Sequence, residues 1–354
     1  MERATLEQPG PVSHAPSSER ILLVVRGGIG DVVFTLPLLE DLRAAHPRAR
    51  LVTLSHAQGQ GILRHSPAVD EARSDGPIGQ RIPVRASLEA LGGERFTVAV
   101  TPVRSLRAAW LLHRSGASTR VGFGGGPEAL LYTHRAPVRP FEVAFSRRFE
   151  RLATALGIPT GAPGRLQVSA PERAAASERL RLAGWRGGPL IALHVGGGWP
   201  TKQWPVEHAR ALVRALADRG RQSLLIGGAQ DGSRAAAIAA AAPESTVIRT
   251  GSPVGEAVAD LALASAAVGL DSGLSHAGVA LGLPTVLLFG PNDPASVVPS
   301  PWAQILTQPL PCRPCNRAGK RRCPEGHHRC MRDTTATAVL AQLELLGPRP
   351  SIPG

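Results

Sequence analysis

The sequence predicts an α/β protein made of two doubly wound parallel-sheet domains that face each other across a cleft. Three observations carry this prediction. A chain of 354 residues exceeds what one ordinary core accommodates. Short apolar runs alternate with segments of helical period in two successive series, the mark of parallel sheets covered on both faces. Between the series lies a stretch rich in Gly, Pro, Arg and Ala, residues 157–188, which reads as the domain junction.

Residues 1–19 are polar, rich in Pro, Ser and Glu, and read as a disordered leader without the apolar core of a signal peptide. The first domain, 20–165, starts with the buried strand 21–25. A glycine loop follows, then a helix running to about His46. Further strands fall at 51–54 and 97–101, with helices over 104–115 and 142–156; the latter stops at Gly157 and Pro159. Residues 166–188 form a linker with one short helical stretch, 171–183. In the second domain, 189–332, strands at 190–195, 223–227, 246–249, 266–270 and 285–289 alternate with helices at 205–219, 231–241, 255–264 and 274–282. The tail, 333–354, contains a helix over 334–346 placed to pack back on the first domain. In such sheets ligands bind outside the carboxyl ends of the strands, so the loops there carry the function.

Composition narrows the class. Apolar content of 43% suits a soluble globular chain, and aromatics at 4% argue against stacking platforms for single-stranded nucleic acid. The net charge is +13, supplied almost entirely by arginine, since Lys202 and Lys320 are the only lysines. A compositional bias toward arginine accounts for most of the excess; attraction to anionic lipid, nucleic acid or phosphorylated substrate is the functional reading. The basic run 319–322 stands alone, and scattered arginines weaken the nucleic-acid reading. Residues 272–292 carry no charged side chain, but Gly282, Pro284, Gly290 and Pro291 break them into a short helix and a buried strand rather than a membrane span. A cytoplasmic location follows.

Four motifs carry the chemistry. In the loop from Arg26 to Asp31, Gly28 and Gly30 allow a tight turn and close approach of a ligand. Val33 stands where a dinucleotide fingerprint has its third glycine, and no acidic residue closes the second strand, which disfavours a dehydrogenase. Asp31 is either a helix cap or a carboxylate general base at the cleft edge. In the second motif, His194 ends a strand, three glycines follow, and Lys202 precedes a helix. A lysine there is a compact cation suited to phosphate, or an ordinary solvated side chain. Trp199 and Trp204 either stack on a base or cover the loop.

The third motif, Asp271 to His276, occupies a strand-to-helix turn whose backbone N–H groups form an anion site backed by the helix dipole. Ser272, Gly273 and Ser275 are small enough for an anion to approach. Asp271 is a helix cap or a ligand contact, and His276 is a structural hydrogen-bonding group or a site residue. The turn 290–294 lies beside the same cleft. The fourth motif gathers Cys312, Cys315, Cys323 and Cys330 within 19 residues, near His327 and His328. The spacing suits a structural zinc site, with reduced thiols as the plain alternative and disulfides disfavoured in the cytoplasm.

The segments 26–47, 194–205, 271–294 and 312–331, in that order, resemble the lipopolysaccharide (ADP-heptose) heptosyltransferases, glycosyltransferase family 9. The cysteine segment is most similar to the heptosyltransferase II branch, whereas the Arg26–Asp31 loop resembles the wider family. The resemblance implies a GT-B fold of two Rossmann-like domains and inverting transfer from a nucleotide-diphosphate heptose. It implies Asp31 as catalytic base, Lys202 on the donor phosphates, and Asp271, Ser272, Gly273, Leu274 and His276 as the donor-binding turn. Gly28 and Gly30 then belong to the acceptor-side loop. The chemistry needs no cofactor. The partners expected are a nucleotide-sugar donor, an anionic lipid-linked acceptor and the cytoplasmic face of the inner membrane, with no specific nucleic acid. A sugar-nucleotide epimerase of similar fold is the alternative, and a basic nucleic-acid binder the more distant one.

Overall fold

The computed structural model describes residues 19–138, 145–297, 300–315 and 322–347. The predicted leader up to residue 18, the start of the helix predicted over 142–156, residues 319–321 of the basic run and the last seven residues of the tail lie outside them.

Six parallel strands form the first sheet: β1 (Arg20–Val24), β2 (Arg50–Ser55), β3 (Glu71–Ser74), β4 (Val98–Val100), β5 (Thr119–Phe123) and β6 (His134–Ala136). Their spatial order is β3-β2-β1-β4-β5-β6. The second sheet contains β7 (Leu190–His194), β8 (Gln222–Gly227), β9 (Thr246–Thr250), β10 (Ala266–Leu270), β11 (Thr285–Phe289) and β12 (Ala303–Thr307), in the order β12-β11-β10-β7-β8-β9. Counted from the first strand of each sheet, the two orders are the same. In each, the chain reverses direction across the sheet beside its first strand, between β1 and β4 and between β7 and β10. That reversal opens a crevice at the carboxyl ends. Apolar runs on both faces explain the central strands: β1, β7, β10 and β11 are buried along nearly their whole length.

Four strands, β3, β5, β6 and β12, fall where no strand was expected. β3, β6 and β12 flank the sheets and β5 pairs with the short β6; β3 and β12 are only half-buried and β6 is mostly exposed. A strand with one partner and a wet face needs no continuous apolar run. The helix expected from the glycine loop to His46 is two helices, Ile29–Val33 and Leu36–Ala45. Thr35 Oγ1 bonds back to Val32 O at 2.7 Å, and Pro37, which lacks an N–H, is tolerated only in the first turn of a new helix.

Two placements differ from expectation. The helix Ala336–Leu346 does not return to the first sheet. Its Val339, Leu340 and Leu343 enter the core formed by Ile191, Val268, Val286 and Leu288 of the second sheet, and the helix Phe145–Ala155 instead packs on Leu36–Ala45 in the first half. The segment 166–188 is no loose linker either. Leu166, Val168, Ala176 and Leu180 are buried, and Arg179 of the helix Ala170–Leu182 pairs with Asp260 at 3.1 Å. One hydrophobic cluster runs through both halves, from Ile21 and Leu51 through Ile62 to Val258, Leu261 and Leu274. The halves also meet at glycines: a Cβ on Gly61 would lie 2.9 Å from the Gly255 nitrogen. The two sheets therefore present their carboxyl ends to one another through packed contacts.

Candidate functional site

Strands β7 and β10 are parallel neighbours, so the loops leaving them meet although Lys202 and Asp271 are 69 residues apart. After β7 the chain runs through Gly196–Gly198 into the 3-10 turn Pro200–Lys202. Lys202 Nζ lies 2.9 Å from Asp271 Oδ2 and donates to Asp271 O at 3.0 Å. The ammonium also stands 4.9 Å from the ring centre of Trp199. The Asp271 carboxylate receives two more partners. His276 Nε2 is 3.1 Å from Oδ1, and the Asn292 amide from the turn after β11 donates to Oδ2.

Burial opposes ionisation of Asp271. The His276 hydrogen bond and the Lys202 charge overcome it and hold the carboxyl well below the usual range. Asp271 is therefore an ionised hub for three donors. The cap alternative fails, because Ser272 occupies the N-cap position of the helix Gly273–Ala280.

His194, at the end of β7, is buried beneath this hub. Its Nδ1 lies 2.6 Å from Ser272 Oγ and 3.1 Å from Ser275 Oγ. Burial, helped by nearby His276, pushes its pKa down to about 4, so the imidazole is neutral near pH 7. His194 thus ties the two motifs from below. A histidine read only as the end of a strand gave no sign of this partner.

The small residues of the turn have different neighbours from those expected. A Cβ on Gly273 would fall 2.4 Å from Ile29 Cγ2 and 2.8 Å from Gly30 N. Gly273 is small because the helix Ile29–Val33 of the first half abuts it. Ser275 faces His194 and Gly269 in the interior. Leu274 is buried in the shared core, and His276 packs on Phe34 with ring centres 4.9 Å apart.

Across this contact, Asp31 stands three residues past the N-cap Gly28, and its Oδ2 accepts from Gly28 N at 2.7 Å. Asp31 is therefore not the N-cap residue; from the third helical position its side chain bonds back to the backbone of the N-cap, Gly28. Its Oδ1 carries no hydrogen bond to any described residue. The sterically demanding glycine of this loop is Gly27, where a Cβ would meet Asp31 Oδ2 at 2.4 Å; Gly28 and Gly30 have ordinary clearance.

The reversal point of the first sheet is a cavity of about 450 Å³ lined by Arg26, Gln80, Arg81, Ser105 and Arg107 among others. Arg26 Nη1 pairs with buried Asp75 at 2.7 Å, and Asp75 also accepts from Ser87 Oγ at 2.6 Å. Arg81 is exposed at the rim. Sequence reading singled out neither Arg81 nor Arg107, because no spacing links the loops that carry them.

The cysteine segment buttresses the lysine turn. His328 Nε2 donates to Thr201 O at 2.8 Å, and Cys330 and Met331 are buried in the second core. Trp204 is buried too, donating to Thr334 O at 2.7 Å, so it is unavailable to stack on a base. Cys312, Cys315, Cys323 and Cys330 form no disulfide. Cys312 Sγ lies 3.9 Å from His327 Nε2, while burial pushes the Cys330 thiol up to about 11. Among the described residues no group of three or more His, Cys, Asp or Glu side chains is arranged to hold a metal ion. Cys315, Cys323 and Cys330 nevertheless line one small pocket together with His328.

Two Rossmann-like sheets in contact, one with a basic open cavity at its reversal point and the other with a lysine and a helix N-terminus there, have the GT-B architecture of glycosyltransferases. The sequence model of glycosyltransferase family 9 (heptosyltransferase) matches residues 84–328, and the chain belongs to that family. It is similar to lipopolysaccharide heptosyltransferase 2 of Escherichia coli K12, with 28% identity over 92% of this chain and 98% of that one. Lipopolysaccharide heptosyltransferase 1 of Pseudomonas aeruginosa is 30% identical over 84% of this chain and 86% of its own length. The two branches match almost equally, so overall identity does not choose between them. The solved structure of E. coli ADP-heptose lipopolysaccharide heptosyltransferase II superposes with a TM-score of 0.77 at 26% identity, covering 92% of this chain and 98% of that one. The chain is a glycosyltransferase, and its reaction is heptosyl transfer in lipopolysaccharide core synthesis.

Proposed function

We propose that the donor is ADP-heptose, bound by the second half, and that the acceptor is an anionic, lipid-linked inner-core sugar held against the first half. The observation that carries this reading is the contact between the Asp271–His276 turn and the Asp31 helix. It brings an anion-binding helix N-terminus and a carboxylate to the two sides of one cleft. The arginine-lined cavity supports an anionic acceptor. We assign residues 20–165 to the acceptor side and 189–332 to the donor side. The work is done at the cytoplasmic face of the inner membrane by a peripherally bound enzyme. Among the described residues no helix is long and apolar enough to cross a membrane.

In this mechanism Gly28 N fixes one oxygen of Asp31, and Oδ1 takes the proton of the acceptor hydroxyl. The hydroxyl oxygen attacks the anomeric carbon from the face opposite the diphosphate, the glycosidic bond to ADP breaks, and the configuration inverts. Charge builds on the departing diphosphate. The amides opening the helix Gly273–Ala280 and the third donor of Lys202, whose other two are engaged by Asp271, stabilise that charge. Asp271 keeps Lys202 in place, and His276 and Asn292 keep Asp271 in place.

The test is product formation from ADP-heptose with and without a delipidated inner-core acceptor. Heptosylated acceptor and ADP appear together if the reading is right. Turnover of donor alone to an epimeric sugar nucleotide overturns it in favour of an epimerase.

A further inference from the structure

The helix Leu106–Arg114 starts at the wall of the arginine-lined cavity, to which Leu106 and Arg107 contribute. It carries two large apolar side chains outward, one turn apart: Leu106 is 54% exposed and Trp110 46%. The 3-10 turn Pro127–Leu131 packs on the same helix, and its Leu130 is 81% exposed. Arg104, just ahead of the helix, reaches Glu128 of that turn at 3.5 Å and ties the two elements together. Three exposed large apolar groups on adjoining elements are more than the scattered apolar exposure of an ordinary surface.

Charge on the same stretch is one-sided. Residues 104–138 contain Arg104, Arg107, Arg114, Arg120 and Arg135 against a single acid, Glu128, which is buried and paired with Arg104. Exposed Arg114 and Arg135 have no acidic neighbour in this stretch to neutralise them. Apolar side chains that stand out from an arginine-rich surface match the interface of an anionic bilayer. Leucine and tryptophan sink to the level of the acyl boundary, and guanidinium groups stay at the phosphates.

We infer that this face, centred on Trp110 and Leu130 and bordered by Leu106, docks on an anionic lipid bilayer. Docking there sets the mouth of the Arg26–Arg81–Arg107 cavity at the membrane surface, where the sugar of a lipid-linked acceptor is presented. The inference rests on the acceptor reading proposed above, but its test does not. Leu106 lines the cavity, so the variants are confined to Trp110→Gln and Leu130→Gln, both on the surface.

Full-length protein is sedimented at low salt with vesicles of phosphatidylcholine alone and of phosphatidylcholine with phosphatidylglycerol. Wild type binds the anionic vesicles and leaves the neutral ones. The double variant W110Q/L130Q binds anionic vesicles about tenfold or more weakly, while its kcat/KM on a water-soluble delipidated acceptor stays within about twofold of wild type. Brominated phosphatidylglycerol quenches the part of the tryptophan emission that W110Q lacks. Equal vesicle binding by wild type and double variant overturns the inference, as does equal binding to neutral and anionic vesicles. A dimer in solution that W110Q/L130Q dissolves also overturns it, because a second copy then covers the face. Inactivity of wild type on the soluble acceptor with intact vesicle binding counts against the acceptor reading instead.

Discussion

The two sheets share one strand order, yet their reversal points have become opposite kinds of site. Beside β7 the crevice is closed: Lys202, His276 and Asn292 converge on one carboxylate, with His194 buried beneath. Beside β1 it is an open cavity whose guanidinium groups include the exposed Arg81. A small charged diphosphate is held best by preorganised donors whose own partners keep them in place, because fixed dipoles then need no reorganisation as charge develops. An acceptor presented on a lipid needs an entrance wide enough for its remaining sugars. Topology supplies the place, and the side chains of the loops decide its chemistry.

Five changes break or sharpen that contrast. The largest effect is expected from Asp31→Ala, with kcat falling about 10²–10⁴-fold as the proton acceptor is lost. ADP binding, measured by calorimetry, should be little changed, since Asp31 belongs to the other half. Near-normal turnover would remove Asp31 from the chemistry and leave it only its bond to Gly28. Lys202→Ala comes next, with a barrier raised by roughly 2.7–4 kcal/mol by analogy with the loss of an oxyanion donor. Single-turnover rates read this directly, and unchanged rates together with unchanged donor KM would sink the phosphate role.

The third concerns pH. His194 has a pKa near 4 in the folded protein against an ordinary 6.5, so the unfolded chain binds its proton more readily. Its contribution is complete above 6.5 and is lost as pH falls toward 4, in total about 3 kcal/mol at roughly 1.4 kcal/mol per unit. Wild type should therefore lose more thermal stability between pH 7 and pH 4.5 than His194→Gln does. Parallel melting curves for the two would refute a neutral buried imidazole. Asp271, whose pKa is also depressed, has the same sign in a more acidic window: its stabilisation is present above its ordinary 3.8 and fails only as acid takes the solution below that.

Fourth, Gly273→Ala forces a methyl into Ile29 and Gly30 and should cost about 1–3 kcal/mol in denaturant unfolding. Gly198→Ala, with nothing within 4 Å, should cost little. Equal costs would show that the halves do not close on Gly273. The smallest effect belongs to Arg81→Ala, which should raise acceptor KM about three- to tenfold and leave donor KM alone, since an exposed charge is screened. A rise in donor KM instead would place Arg81 on the wrong side of the cleft.

Most of the central architecture was legible in the chain. The runs 21–25, 190–195 and 266–270 are apolar on both faces because the strands they form are covered on both faces. The strands that escaped, β3, β5, β6 and β12, carry arginine, histidine or glutamine within a few residues, since one side of each faces water or a short neighbour. In the site, Lys202 stood out because lysine is rare in this chain, and Asp271 and His276 because they bound a polar run between two apolar stretches. Asn292 and His194 did not, for each is an ordinary residue at the end of an ordinary strand until a partner from another loop reaches it.

The sequence by itself determined the repeating strand–helix alternation, the two glycine loops, the strand-to-helix turn at Asp271–His276 and the excess of arginine. All of these are local: they depend on periodicity, backbone freedom and charge within a few residues of each other. Only the tertiary structure decided that Asp271 is a hub and not a cap, that Gly273 makes room for Ile29, that the C-terminal helix completes the second sheet, and that Arg26, Arg81 and Arg107 share a cavity. Each of those rests on groups brought within a few ångströms by the parallel crossover of strands. A crossover joins loops tens of residues apart, and no short-range pattern records which of them will meet.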